Sequence, residues 1–134
     1  MASDLDSAVA TIETTLEGAF PALPIAFANA PFKPPSTGNW LDCTVIWGDT
    51  FVTTMAPTNR NTAVGVVMVG VQTPLSIGAG AAYRLADTVR DLYNRKEIAG
   101  VRFGAASGPR RGPLDSLWHR VVVSVPFTVD ELVP

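Results

Sequence analysis

Thr62-Ala63-Val64-Gly65-Val66-Val67-Met68-Val69-Gly70-Val71-Gln72 is the stretch that decides the fold. In an extended chain Val64, Val66 and Met68 fall on one side and Val67, Val69 and Val71 on the other, so a two-residue repeat gives a strand that is apolar on both faces. The β-branched side chains suit a pleated backbone. A sheet covered by helices on one face leaves the other to water, so a strand of this kind asks for a second cover, such as another subunit.

Upstream, Leu41, Cys43, Val45 and Trp47 alternate with Asp42, Thr44 and Ile46, which predicts a half-buried strand starting at Trp40. Gly48-Asp49 marks a kink, Phe51, Thr53 and Met55 resume the alternation, and residues 56–61 turn the chain. Before that, residues 20–38 hold Pro21, Pro24, Pro31, Pro34 and Pro35 and read as an irregular connector. Leu5, Val9, Ile12 and Leu16 predict a helix over residues 4–17, with Ser3 as N-cap and Gly18 past its end.

Downstream, Thr73-Pro74-Leu75-Ser76 stops the strand, and Ile77, Ala81, Leu85, Val89 and Leu92 form the stripe of a helix over residues 77–95. A short strand follows at 98–103, then a Gly/Pro-rich loop at 104–115. The last strand carries Val121, Val123, Val125, Phe127 and Val129 in alternation, with Pro126 predicting an edge or an ending there. The order α-β-β-α-β-β is that of an α+β fold: a mainly antiparallel four-stranded sheet with two helices on one face, forming a single domain over residues 1–134.

Composition narrows the function classes. Charged residues make up 16% of the 134 and hydrophobic ones 47%, with mean hydropathy +0.23, against about 25% charged in an average soluble domain. The surface is under-charged for a free monomer. A net charge of -2 and a pI near 5.2 disfavour nucleic acid as a primary partner. One cysteine and one histidine exclude an internal disulfide and a Cys/His zinc site within one chain, and the single thiol suits a reducing compartment. The acidic start lacks the basic region of a signal peptide, and the longest apolar run, residues 63–71, is about half of the ~20 a membrane-spanning helix needs.

Candidate chemistry is sparse. Gly78-Ala79-Gly80-Ala81-Ala82-Tyr83 looks superficially like a dinucleotide-binding turn, but Tyr83 stands where the third small residue belongs. His119 with Cys43 or Ser124 is the one conceivable nucleophile pair; Cys43 shares the face of Leu41 and Val45 and reads as an inert core residue. Asp87 and Asp91 interleave with Arg84, Arg90 and Arg95 as a solvated ion-pair face. The sequence therefore points to no catalytic residue, no metal and no cofactor. What remains is a surplus of apolar and aromatic positions, Trp40, Trp47, Phe51, Met55, Trp118 and Val122, together with the loop around Arg110-Arg111, and these favour an interface.

Taken in order, the N-terminal amphipathic helix, Ala28-Asn29-Ala30-Pro31-Phe32-Lys33-Pro34-Pro35 leading to Trp40-Leu41, the Ala81-Ala82-Tyr83-Arg84-Leu85-Ala86-Asp87 helix and the closing Gly108-Pro109-Arg110-Arg111, Leu117-Trp118 and Val123-Ser124-Val125-Pro126-Phe127 blocks make the chain resemble the tail terminator-like proteins of long-tailed bacteriophages. The resemblance implies a small α+β subunit, made in the host cytoplasm, that forms a homo-hexameric ring in the virion. The ring would sit at the head-proximal end of the tail tube, stop its polymerisation and offer a joining surface to the head connector, with DNA only passing through its channel. No enzyme activity and no membrane contact are implied. The partner-interface candidates are Phe51, Met55 and Arg60 near the first hairpin tip, Arg110 and Arg111 in the Gly/Pro-rich loop, and Trp118. A neck adaptor ring would share this size and geometry. A small α+β enzyme or ligand-binding domain would instead build a pocket around His119.

Overall fold

The computed structural model describes the chain apart from residues 1–3, 28–31, 34–37, 55–58, 75–78, 112–117 and 134. Helix α1 (Asp4–Ala19) buries Ala8, Ile12 and Leu16, one residue per turn, and leaves Val9 half-buried. It outruns the expected end by two residues because Gly18 sits inside the last turn, and Phe20 N–H caps Leu16 O at 3.1 Å. Helix α2 (Ala79–Tyr93) buries Ala82, Ala86, Val89 and Tyr93, while Ala81, Leu85 and Leu92 of the expected stripe are half-buried. It stops at Tyr93 because Arg95 takes φ 56°, a left-handed turn that cannot continue the helix.

Among the described residues the sheet has seven strands, not four. Three are long: β2 (Trp40–Thr54), β3 (Asn59–Pro74) and β7 (Trp118–Val133), each antiparallel to its neighbour. Four are short: β1 (Ile25–Phe27), β4 (Glu97–Ile98), β5 (Val101–Phe103) and β6 (Ser107–Arg111). Their spatial order is β1-β2-β3-β7-β5-β4, with β6 also on β7, and β1 runs parallel to β2, so the sheet is mixed. The expected order α-β-β-α-β-β is thus corrected to α-β-β-β-α-β-β-β-β.

Each departure has a local cause. Within the supposed connector, Ile25–Phe27 finds an edge to pair with on β2. Residues 98–103 are not one strand but a hairpin, because Ala99 (φ 49°) and Gly100 (φ 86°) form a two-residue turn with both angles positive. The Gly/Pro-rich loop contains β6, which Arg90 Nη1 holds by donating to Gly108 O at 2.9 Å. Asn59 to Asn61, read as turn, already belong to β3. Pro126 neither ends β7 nor lies on the outer edge of the sheet. Its carbonyl accepts Gly104 N–H at 2.8 Å, so its nitrogen faces the gap between β5 and β6, where no ladder bond is lost. The kink at Gly48-Asp49 is borne out as a register shift between Trp47 and Thr50.

Register divides the long strands into two faces. Leu41 and Cys43 on β2, Val67, Val69 and Val71 on β3, and Val121, Val123 and Val125 on β7 meet the buried stripes of both helices in one cluster. Both helices therefore pack on one face, as expected. The alternate residues form rows on the helix-free face: Trp40-Gln72-Arg120, Asp42-Gly70-Val122, Thr44-Met68-Ser124, Ile46-Val66-Pro126. No helix covers these rows, and Val64, Val66 and Met68 stay half-buried.

Candidate functional site

The five interface candidates that the structure describes spread along the length of the long strands. Phe51 pairs with Thr62 beyond the β2 bulge, and Arg60 pairs with Thr54 and Leu132, both near the β2-β3 connection; Met55 lies outside the described residues. Arg110 and Arg111 are in β6 opposite Val122 and Val121, with Arg110 exposed. Trp118 opens β7 opposite Pro74 and packs edge-on against Trp40, ring centroids 5.8 Å apart, while Phe32 stacks on Trp40 at 5.1 Å. At ~3.3 Å per residue, the ten β3 residues from Arg60 to Gly70, the position level with Arg110, put the hairpin end about 30 Å from β6.

The apolar surplus is smaller than the sequence suggests. Trp47 packs into the main cluster with its ring 5.1 Å from Phe127, and Trp40, Trp118 and Val122 are half-buried. Among the residues whose exposure is described, the large hydrophobic side chains that are exposed are Ile46 (51%) and Tyr83 (39%), neither of which the sequence singled out as a contact. Ile46 was legible in principle, since it shares a face with Val64, Val66 and Pro126 once the strands are laid in register.

The nucleophile pairs do not assemble. Cys43 pairs with Val69 and His119 with Thr73, four residues or about 13 Å apart along β3. Ser124 lies on the helix-free face, whereas His119 is on the other, its ring 6.5 Å from that of Tyr83. Cys43 is buried, and burial, with the charges of Glu13 and Asp42 adding, pushes its thiol up to about 12, far from the thiolate a nucleophile needs. Burial likewise raises Tyr93, whose hydroxyl donates to Ile12 O at 2.8 Å and ties α2 to α1.

Two features occupy the helix-free face. The first is a polar lattice: Arg120 Nη2 and Nε donate to Asp42 Oδ1 and Oδ2 at 2.8 and 3.2 Å, and Gln72 Nε2 donates to Asp42 Oδ2 at 2.9 Å. It spans β2 to β7 across β3 because Gly70 has no side chain there; a Cβ at Gly70 would overlap the Asp42 carboxylate and fall 2.7 Å from Arg120 Nε. The second is an apolar groove of about 500 Å³, floored by Ile46, Val64, Val66 and Pro126 and reaching Arg102. Arg102 donates to Asp130 through both Nη atoms at 3.0 and 3.1 Å, and its side chain remains 44% exposed. His119 does not line the groove. A shallow, apolar, helix-free surface with an ion pair at its end can bind a complementary surface.

The family model described as "Phage tail terminator protein" matches residues 5–127. A solved structure 25% identical in sequence superposes with a TM-score of 0.72, covering 99% of this chain and 99% of that one. No curated protein matches the chain.

Proposed function

The chain belongs to the phage tail terminator protein family, a structural family, and from that premise we propose that it forms a homo-hexameric ring that caps the head-proximal end of the tail tube. The ring stops tube polymerisation and offers the next surface to the head connector, while DNA passes through the channel without being gripped. One side copies the docking contact of a tube subunit; the other lacks the contact that would recruit another layer, so a heterologous stacking interaction is offered once and not regenerated. The separation of the candidate contacts carries this reading. Phe51 and Arg60, with Met55 next to them in sequence, and Arg110 with Arg111 are held about 30 Å apart along β3, which gives one subunit room for two partner surfaces. Trp118 belongs to the end of β7 remote from the hairpin.

The test is to add the purified protein to polymerising tube subunits and measure tube length and end occupancy by electron microscopy. Shortened tubes with a ring on one end support capping. Unaltered tubes, with binding only to portal-side neck proteins, would show a neck adaptor instead. Arg110→Ala with Arg111→Ala should impair either capping or head joining, and a double variant that assembles normally removes these two residues from the interface.

A further inference from the structure

The ring reading leaves open how subunits meet, and the two exposed apolar side chains bear on this. Tyr83 stands on α2, on the helix-bearing side of the sheet; Ile46 lies in the groove on the helix-free side. We propose that Tyr83 of one copy of this chain seats in the Ile46-Val66-Pro126 groove of the next copy, so that the ring closes through a knob on one face of each subunit and a socket on the other.

Three observations select a second copy as the occupant. First, the socket is wide and apolar, of a size that takes an aromatic ring, and Tyr83 is the exposed aromatic among the residues whose exposure is described. Second, the hydrogen-bonding groups match: exposed Asp87 is four residues on from Tyr83 and so on the same helix stripe, while Arg102 at the end of the groove, its charge already met by Asp130 and Glu97, commits two N–H groups to Asp130 and keeps others to offer. A carboxylate beside the knob facing a guanidinium beside the socket fixes the register of docking. Third, knob and socket lie on opposite faces of one sheet, so a two-fold contact through one patch cannot bury both. Head-to-tail docking can, with a different neighbour on each side, and that is the symmetry a closed ring requires. The seated ring would also cover Val64 and Val66, which no helix covers.

This inference rests on the ring reading, and the experiment separates the two. Native mass spectrometry over a concentration series, with and without tube ends, is run on the wild type, Tyr83→Lys and Ile46→Lys. Both positions are exposed, so the variants should fold, which thermal melting verifies. Each single variant should raise the concentration for half-assembly by about tenfold or more, as removal of a central anchor does. Mixed one to one, Tyr83→Lys supplies an intact socket and Ile46→Lys an intact knob, so the mixture should pair and stop at dimers. Tyr83→Cys with Ile46→Cys should give a disulfide-linked ladder on oxidation, with Cys43 too buried to compete. Wild-type rings alongside rings of both variants at the same protein concentration, or no ladder when the double cysteine variant is oxidised far above the wild-type half-assembly concentration, would overturn the knob and socket and leave the ring intact. Rings of Ile46→Lys that form but fail to sit on tubes would assign the groove to the tube protein and likewise overturn the proposal. Absence of any multi-subunit species from the wild type, free or on tube ends, would overturn the ring and this contact with it.

Discussion

Replacing Gly65 by alanine adds one methyl group where the structure has no room for it. A Cβ there would lie 2.6 Å from Phe127 Cζ, 2.9 Å from Cε1 and 3.0 Å from Ile46 O. Phe127 cannot swing away freely: it is 1% exposed, Trp47 meets it edge-on at 5.1 Å, and Phe103 flanks it at 6.2 Å. Overpacking of a filled core costs roughly 1–3 kcal/mol, and the entropy recovered by replacing glycine within a strand offsets roughly 0.5–1 kcal/mol of it. The net expectation is a loss centred near ~1.3 kcal/mol and no larger than about 2.5 kcal/mol. With an unfolding entropy of about 2.1 cal/mol/K per residue, a chain of this length loses ~4–5 °C in Tm at that centre and up to ~9 °C, read by calorimetry. Phe127→Leu in the same chain shortens the offending ring, so the double variant should lose at least ~0.5 kcal/mol less than the two single losses added together. A Gly65→Ala protein that melts at or above the wild-type temperature, or strict additivity with Phe127→Leu, would refute the claim that Gly65 exists to admit that ring.

Arg120→Gln should destabilise by about 1–2 kcal/mol, more than an ordinary surface pair, because Arg120 and Asp42 are mostly shielded at 27% and 19% side-chain exposure; a urea double-mutant cycle with Asp42→Asn checks it. Cys43 holds its proton more tightly folded than unfolded. Its contribution is therefore complete below the ordinary value of 9.0 and is lost as pH climbs toward about 12, so unfolding free energies should fall more steeply above pH ~9 in the wild type than in Cys43→Ala. Gly18→Ala in α1, where an added Cβ meets nothing within 4 Å, should stabilise by up to about 1 kcal/mol, measured by thermal melting.

The three long strands and both helices were legible because each repeats one period over ten or more residues, and hydrophobic burial acts on periods of that length. Even the β2 bulge was legible, since Gly48-Asp49 interrupts the alternation where the register shifts. The short strands were not. β1 is three residues among prolines and is defined by a partner sixteen residues away on β2; β4 and β5 turn on Ala99-Gly100, which lacks the usual Asn or Asp; β6 reads as loop because glycine and proline fill it. The groove was half legible. Its floor follows from the alternation, but Arg102 reaches Asp130 only through a pairing of β5 with β7, which no local pattern encodes.

The long strands also explain why a chain with so few charges can serve several neighbours. Along β3 the position of Arg60, the groove at Val66 and the lattice over Gly70 succeed one another, spaced by roughly 13 to 20 Å. Sites farther apart than ~10 Å with no shared partners behave independently. In the assembly proposed here, substitutions at the hairpin end, at Ile46 and around Arg110 should therefore uncouple tube docking, ring closure and head joining from one another. The lattice keeps this independence by locking β2, β3 and β7 into one unit between the stations: Asp42 and Arg120 are 78 residues apart in sequence and bond across Gly70. A five-residue strand, ~17 Å from end to end, would crowd all three contacts onto one patch, and a single substitution would then disturb them together.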